Sequence, residues 1–333
     1  MILITGGTGF IGSHIAVACL AAGKQVVLFD NLSNSNIEII DTLEKITHQQ
    51  VSFIRGDVLD QDLLTTTMQD FGVDEVIHCA GLKSVPESVD KPLRYYLNNV
   101  QGSLCLLRAM QTCEVKTIVF SSSATVYGMP SYLPYDEAHP TNPMNPYGST
   151  KLHVEQMLRE LAQSDHSMKI MCLRYFNPVG AHESGLIGEN PKGIPNNLMP
   201  YITRVAQGEL PYLNIYGTDY PTKDGTGERD YIHVMDLAEG HVMALDYLKS
   251  HPGYGVVNLG TGRPYTVFDL VNTFQEISGK TIPYEIAPRR NGDLSSYFAN
   301  PTLAKQIMGY ETKRDLKSMC ASAWSFQNQL DIQ

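Results

Sequence analysis

Ile2-Leu3-Ile4-Thr5-Gly6-Gly7-Thr8-Gly9-Phe10-Ile11-Gly12 opens the chain and decides its fold. The first four residues read as a strand covered on both faces, as parallel sheets require. Glycines at 6, 9 and 12 follow at once, and then Ile15, Ala16, Cys19 and Leu20 recur at helical spacing. Strand, glycine turn and helix together let a backbone approach a pyrophosphate, which meets the free N–H groups of the helix terminus. Glycines at this spacing also make ordinary turns, so their surroundings must separate the two. Asp30 ends the next apolar run, Val26-Val27-Leu28-Phe29. It lies about 20 residues past the last glycine, where a carboxylate accepts hydrogen bonds from adenosine ribose hydroxyls. That carboxylate repels a 2′-phosphate, and no arginine follows in Asn31-Leu32-Ser33-Asn34. NAD is therefore expected over NADP. Asp57, just past the third strand, suits an adenine contact and equally a plain loop carboxylate.

Outward from this turn, short apolar runs alternate with helical patterns, the signature of a doubly wound parallel α/β sheet of Rossmann type. Strands are expected at Ile2–Thr5, Val26–Phe29, Ser52–Arg55, Glu75–Cys79, Thr117–Phe120 and Ile170–Arg174. After Asn177 the texture changes, with Pro178, Pro191, Pro195, Pro200, Pro211 and Pro221 among glycines and asparagines. A loop-rich lobe with short helices is expected there. Residues 1–176 read as the NAD-binding domain. Residues 177–333 read mainly as a smaller substrate lobe, with some segments returning to the first domain.

Ser121-Ser122-Ser123 lies at the end of the fifth strand, where open α/β sheets place their ligands. Tyr147-Gly148-Ser149-Thr150-Lys151 follows on a helix bearing Val154, Met157, Leu158 and Leu161. Tyr147 and Lys151 are i and i+4, so their side chains share a face. A hydroxyl, a phenol and an ammonium there can move a proton while a nicotinamide moves a hydride. An ordinary phenol ionises near pH ~10, so a base working near neutrality needs a drop of about 3, or roughly 4 kcal/mol. One adjacent positive charge gives about 1–3. Lys151 with an oxidised nicotinamide ring suffices. An isolated YxxxK is usually a surface aromatic beside a solvated charge; its place after the glycine turn and the terminal serine argues otherwise.

With 25 Lys and Arg against 35 Asp and Glu, the formal charge is −10. Such a surface repels nucleic acid and anionic membranes. No apolar run approaches the ~20 residues of a membrane span. The start shows neither a basic n-region nor a cleavage site. The six cysteines form no CxxC pair, and most sit in apolar surroundings as reduced core thiols do. A cytoplasmic protein without a metal is expected.

Tyr175-Phe176-Asn177-Pro178-Val179-Gly180-Ala181-His182, Gly193-Ile194-Pro195-Asn196-Asn197-Leu198-Met199-Pro200 and Asp219-Tyr220-Pro221-Thr222 add longer strings. So do Gly227-Glu228-Arg229-Asp230-Tyr231-Ile232-His233-Val234 and Pro288-Arg289-Arg290-Asn291-Gly292-Asp293. From Met1 to about Asp315 the chain resembles the extended short-chain dehydrogenase/reductase family and, within it, the epimerases that act at C4 of UDP-sugars. The resemblance implies reversible interconversion of UDP-galactose and UDP-glucose through a transient 4-keto sugar, with tightly held NAD regenerated each turnover. It implies Tyr147 as the proton-transfer residue, Ser123 on the 4-oxygen, and Lys151 on the nicotinamide ribose. It places Gly6, Gly9, Phe10, Ile11, Gly12, Asp30, Asn31, Leu32, Ser33, Asn34, Ser35, Asp57, Val58, Cys79, Ala80, Gly81, Leu82, Lys83, Asn98 and Phe176 around NAD. It places Asn177, Asn197, Leu198, Asn214, Ile215, Tyr216, Arg229, Arg290, Asn291, Gly292 and Asp293 around the UDP part.

The same resemblance places Tyr297 beside the sugar 2-substituent, where its bulk is expected to exclude N-acetyl sugars. Two departures stand out. Glu228 precedes Arg229 where a neutral residue is expected, and Cys79 stands in place of a phenylalanine. A 4,6-dehydratase needs an added acid and base, which similar dehydratases draw from an Asp-Glu pair after the serine. Here Ala124-Thr125 fills that place, and neither titrates. A UDP-glucuronate epimerase or decarboxylase fits the strings after Asn177 less well. An NAD-sensing regulator would have no need of Ser123, Tyr147 and Lys151 together. The family suggests a homodimer through paired helices, with Gly102–Met110 and the Tyr147 helix as candidates.

Overall fold

The computed structural model describes residues 1–290 and 292–330. Strand β1 (Ile2–Thr5), helix α1 (Phe10–Ala21), β2 (Val26–Asp30), α2 (Ile39–Thr47), β3 (Ser52–Arg55), α3 (Gln61–Asp70) and β4 (Glu75–His78) come first. Helices α4 (Val85–Asp90) and α5 (Pro92–Tyr95), a π-helical turn (Tyr96–Gln101) and α6 (Gly102–Thr112) lead to β5 (Thr117–Ser123). Then come α7 (Pro146–Ser164) and β6 (Lys169–Tyr175). The remainder runs β7 (Asn177–Val179), α8 (Leu198–Gln207), β8 (Leu213–Tyr216), β9 (Glu228–His233), α9 (Val234–Leu248), β10 (Gly253–Leu259) and β11 (Pro264–Thr266). It closes with α10 (Val267–Ser278), β12 (Tyr284–Ala287), β13 (Ser296–Tyr297), α11 (Thr302–Met308) and α12 (Leu316–Leu330).

Seven parallel strands form the main sheet in the order β10-β6-β5-β4-β1-β2-β3. Every residue of β1 and β5 is buried, because helices cover both faces. One face packs against α1 and α9 through Ile15, Cys19, Leu237 and Leu245, around Ile4, Leu28, Ile77 and Val119. The other packs against α3, α6 and α7 through Met68, Leu106, Val154 and Leu158. Each such side chain contributes about 1.5–3 kcal/mol by leaving water. The chain winds outward from β1 to β3, then returns across to β4. The resulting switch point opens a crevice beyond the C-terminal ends of β1 and β4, the place where such sheets take ligands.

Six strands lie where the apolar runs place them, β1 and β3 with the expected ends and the other four with ends extended or trimmed by one to three residues. The seventh, β10, escapes that pattern. Gly253-Tyr254-Gly255 opens it with weak strand formers, and only Val257, Asn258 and Leu259 are fully buried, as befits an edge. The later half departs from a loop with short helices. It holds α8, α9, α10 and α12, of 10, 15, 12 and 15 residues. Pro178 lies within the short strand β7, Pro200 sits in the first turn of α8, where no N–H is needed, and Pro191, Pro195, Pro211 and Pro221 punctuate connections. Two small sheets complete this half: β11-β9-β13 with β7 on β9, and the parallel pair β8–β12. Among the described residues no helix is long and apolar enough to cross a membrane.

Candidate active site

Gly6 leaves β1 with φ 68°, and its N–H donates to the Phe29 carbonyl at 2.8 Å. A Cβ there would meet the backbone of Ala80 at 2.8 Å, so the turn lies against the end of β4. At Gly12 a Cβ would stand 2.1 Å from the Gly6 carbonyl oxygen. Gly9 caps α1 with no side-chain hydrogen bond, so no side chain of the cap satisfies the first N–H groups of the helix. A helix terminus without a side-chain cap, its dipole and a turn too tight for a Cβ at Gly6 or Gly12 fit a dinucleotide diphosphate.

Asp30 stands at the rim. Its carboxylate accepts from the N–H groups of Thr8 (3.2 Å) and Leu32 (2.9 Å) and from the Ser35 hydroxyl (3.3 Å). Leu32 adopts φ 61° to close that turn. The amide of Asn31 donates to Asp57 at 2.9 Å, so both face one rim, with Ser33 and Asn34 exposed beside them. Phe10 and Ile11 are half-buried in the first turn of α1, and Val58 packs under Gly102. Thr8, absent from the residues the motif selects, shares a hydrogen bond with Ser35 (2.7 Å). Within Cys79–Lys83, Thr5 holds Cys79 and Ala80, and Asn99 holds Leu82, its side chain both accepting from the Leu82 N–H (2.8 Å) and donating to its carbonyl (3.0 Å). Asn98 is the neighbour that donates to Asn99 at 3.0 Å. Two adjacent asparagines look alike in sequence, and only helix phase separates the buried one.

Ser123 ends β5 in extended backbone, nearly buried, and its Oγ accepts from the Thr125 N–H (3.2 Å) and hydroxyl (2.9 Å). Asn145 caps α7 by accepting from the Gly148 N–H, which sets Tyr147 in the first turn facing Ser123. Burial raises the Tyr147 phenol above its ordinary value, while a hydrogen bond to Ser123 pulls it back. The expected lowering calls on the oxidised nicotinamide as well as Lys151. The i, i+4 spacing does put both on one face, but the Lys151 ammonium bends to the Ser121 carbonyl (2.7 Å) and lies 4.8 Å over the Phe120 ring. Burial also pushes Lys151 down to about 8, with Cys79 and Glu155 opposing. Its Nζ stands 3.7 Å from where a Gly81 Cβ would be, beside the cofactor crevice. The Cys79 thiol contacts the Ser121 hydroxyl at 3.0 Å, and burial lifts it to about 11.

On the far wall β9 and β13 lie parallel, pairing Arg229 with Tyr297. Neighbouring residues of a strand point to opposite faces. Glu228 accordingly accepts from the Ser296 hydroxyl (2.6 Å), while Arg229 donates to the carbonyls of Glu228 and Leu294 (2.8 and 2.9 Å). The carboxylate beside the arginine in sequence is thus occupied elsewhere. Arg229 lies 3.9 Å from Asp293, which also takes two bonds from Arg290 (2.8 and 3.2 Å). Arg290 stands over the Tyr216 ring at 4.8 Å. Gly292 turns the loop with φ 82°; Asn291 lies outside the described residues. Tyr297 packs against Tyr135 and Phe176, with centroids 4.9 and 5.2 Å away, and its buried hydroxyl has no protein partner. Asn177 starts β7 beside Tyr231. The Ile215 side chain lies in the core with Leu213 and Ile282, and Leu198 packs against that core. Only the backbone of Ile215 remains for a ligand, while Asn214 is half-buried.

Glu189, which no motif singles out, joins the two walls. Its Oε1 accepts from Lys83 (2.9 Å) on the cofactor side and Asn197 (2.7 Å) on the other, and its Oε2 is buried without a partner. Glu189→Ala is expected to raise the KM for a UDP-sugar about 10-fold with kcat nearly unchanged, because lost orientation acts on uniform binding; steady-state kinetics checks this.

Residues 2–260 match the NAD dependent epimerase/dehydratase family. A UDP-glucose 4-epimerase of Bacillus subtilis is 51% identical across 98% of this chain and 96% of its own. The human UDP-glucose 4-epimerase is 49% identical across 98% and 96%. The structure of a UDP-glucose 4-epimerase from Stenotrophomonas maltophila, with bound NAD and formylated UDP-arabinopyranose, superposes with TM-score 0.98 at 46% identity, covering 99% of this chain and 98% of that one. One from Bifidobacterium longum, in complex with NAD+ and UDP, superposes with TM-score 0.95 at 47% identity, covering 98% of each. The glycine cradle, the Ser-Tyr-Lys cluster and this near full-length likeness agree: the chain belongs to the NAD dependent epimerase/dehydratase family.

Proposed function

We propose that this protein interconverts UDP-galactose and UDP-glucose by epimerisation at C4, using NAD that stays bound through each turnover. The observation that carries this is the meeting of Ser123, Tyr147 and Lys151 beside a cradle built for a diphosphate. Residues 1–176 hold the cofactor, and 177–333 mainly hold the nucleotide-sugar. Asp30 receives the adenosine ribose. Arg229 and Arg290 supply local positive charge on an acidic protein and clamp the UDP diphosphate by charge-assisted bonds.

Bound NAD supplies a reversible hydride acceptor at C4 of the sugar. Tyr147 takes the proton from the 4-hydroxyl, while Ser123 hydrogen-bonds the 4-oxygen and keeps it in line. Lys151 binds the nicotinamide ribose, and its charge together with that of the oxidised ring opposes the burial that holds the phenol protonated. The 4-keto sugar then turns about its diphosphate linkage and presents its other face. Tyr147 returns the proton to the 4-oxygen as C4 takes the hydride back on that face. Thr125, whose hydroxyl is bound to Ser123, offers no acid for a leaving hydroxyl, so the sequence stops at epimerisation.

Purified protein given UDP-galactose and no added NAD should yield UDP-glucose, with a bound chromophore in the dihydronicotinamide band during turnover. No product under these conditions from protein shown to carry NAD would sink the assignment. Tyr297 fills the space beside the sugar 2-position, so UDP-glucose and UDP-galactose should be preferred over their N-acetyl forms. Tyr297→Ser should raise turnover of UDP-N-acetylglucosamine about 10-fold, a gain on the scale of relieving one steric clash. Equal rates on both sugars in the unaltered protein would refute this.

The active unit is a homodimer in the cytoplasm. Val89 on α4 and Leu93 on α5 are exposed, Leu93 by 81%, and Leu97 and Leu104 line one surface depression between the π-helical turn and α6; a second copy covers these apolar side chains. All six cysteines are unpaired, in keeping with a reducing compartment.

A further inference from the structure

Behind the reacting groups lies an ion pair that the chemistry above does not use. Glu155 and Arg174 are both nearly excluded from water. Arg174 donates to Glu155 through Nε (2.9 Å) and Nη2 (2.6 Å). The Ser122 hydroxyl donates to the same carboxylate at 2.6 Å. Arg174 also stands over the Tyr127 ring at 4.8 Å, and the Tyr127 hydroxyl donates to Asn258 of β10 at 2.7 Å. Its register partner on β5 is Ser122, and the next pair is Ser123 with Tyr175.

One helix and two strands therefore meet at one carboxylate, and Tyr127 links β10 to the cluster. Glu155 is one turn beyond Lys151 and two beyond Tyr147 on α7, and Ser122 is adjacent to Ser123. A buried pair of this kind is seldom retained for stability, since apolar replacements often serve as well. Its geometry serves to set one register.

The surroundings of Lys151 give the pair a second use. The titratable groups around it come from several elements: His78 at the end of β4, Cys79 after it, Tyr147 and Glu155 on its own helix, and Tyr175 of β6 beside Cys79 and Tyr147. Burial holds His78 down at about 3 and lifts Cys79 to about 11, so both are neutral near pH 7. It also holds the phenols of Tyr147 and Tyr175 up. Glu155 supplies the negative charge, and it opposes the burial that drives Lys151 to lose its proton.

We propose that Glu155 is a positioning residue for the reaction: clamped by Arg174 and Ser122, it locks the Tyr147 helix onto the strand ending at Ser123 and is the counter-charge of Lys151. This rests on the assignment of Ser123, Tyr147 and Lys151 as the reacting set.

The test uses NAD-loaded protein and UDP-galactose across a pH series, with Glu155→Gln, the double variant Glu155→Gln with Arg174→Gln, and Tyr147→Phe. The double variant removes the buried guanidinium that Glu155→Gln alone would leave unpaired, so it keeps the test open where the single variant misfolds. Its kcat should fall about 100-fold through misplacement of the reacting groups, with KM for UDP-galactose little changed. The alkaline limb of its pH profile should move about 1 pH unit lower, because Lys151 deprotonates earlier without its counter-charge. A folded, NAD-loaded double variant with unaltered kcat and alkaline limb overturns the proposal. A fall in kcat without movement of that limb also overturns it, since a merely structural clamp would behave so. If Tyr147→Phe retains turnover, the underlying assignment fails. If Tyr147→Phe is inactive while the double variant matches the unaltered protein, only the role of Glu155 fails.

Discussion

Replacing Tyr147 by Phe should lower kcat for UDP-galactose by about two to four orders of magnitude, the usual contribution of a positioned acid–base group. The substitution removes one oxygen from a half-buried ring in the first turn of α7 and leaves the packing in place. Bound NAD and the affinity for UDP should therefore stay within a few-fold, because neither the glycine cradle nor the arginine wall touches the phenol. Rapid mixing with UDP-galactose should also show no dihydronicotinamide chromophore, since hydride leaves C4 only as the proton leaves its oxygen. A protein that merely senses NAD(H) would lose nothing measurable in ligand binding and had no turnover to lose. Retained turnover at even a tenth of the original rate would remove Tyr147 from the mechanism.

Gly12→Ala should cost the protein its NAD. The added Cβ would sit 2.1 Å from the Gly6 carbonyl oxygen and 2.9 Å from both the Gly6 carbonyl carbon and the Gly7 Cα. All three are backbone atoms, so no rotamer change relieves the overlap, and α1 must move away from the turn it closes. The expected cost is about 1–3 kcal/mol of stability, as for other overpacked sites, together with loss of the diphosphate cradle. Gly279→Ala is the matched control. That glycine ends α10 with φ +67° and nothing within 4 Å, so it should lose about 1 kcal/mol from the left-handed backbone alone and keep its cofactor. Nucleotide content after purification and thermal unfolding of each variant decide the matter. If both variants carry NAD equally and unfold alike, the cradle is not where the cofactor's phosphates lie.

Much of the cofactor side was legible because it is local. A strand, a tight turn and a helix follow one another within the first 21 residues, and the carboxylate of Asp30 ends the next strand, β2. The shared face of Tyr147 and Lys151 follows from helix pitch alone. Pitch did not reveal where the Lys151 ammonium goes, because its length lets it reach either the phenol or the Ser121 carbonyl, and burial selects the carbonyl. Asn99, Thr8 and Glu189 were missed for a related cause: their partners lie 17, 27 and 106 residues away. The wall of Arg229, Asp293, Arg290 and Tyr216 draws on β8, β9 and a loop, and no spacing within the chain announces that juxtaposition.

From sequence alone came the alternation of strands and helices, the glycine cradle, the preference for an unphosphorylated ribose, and the order of the reacting groups. Each depends on residues a few positions apart, where helix and strand periods dictate direction. Only the tertiary structure decided that β10 joins the sheet beside β6, that Glu228 turns away from Arg229, and that Glu155, Arg174 and Ser122 meet under Ser123. Those outcomes depend on which distant side chains leave water together. That is a property of packing, not of any local period.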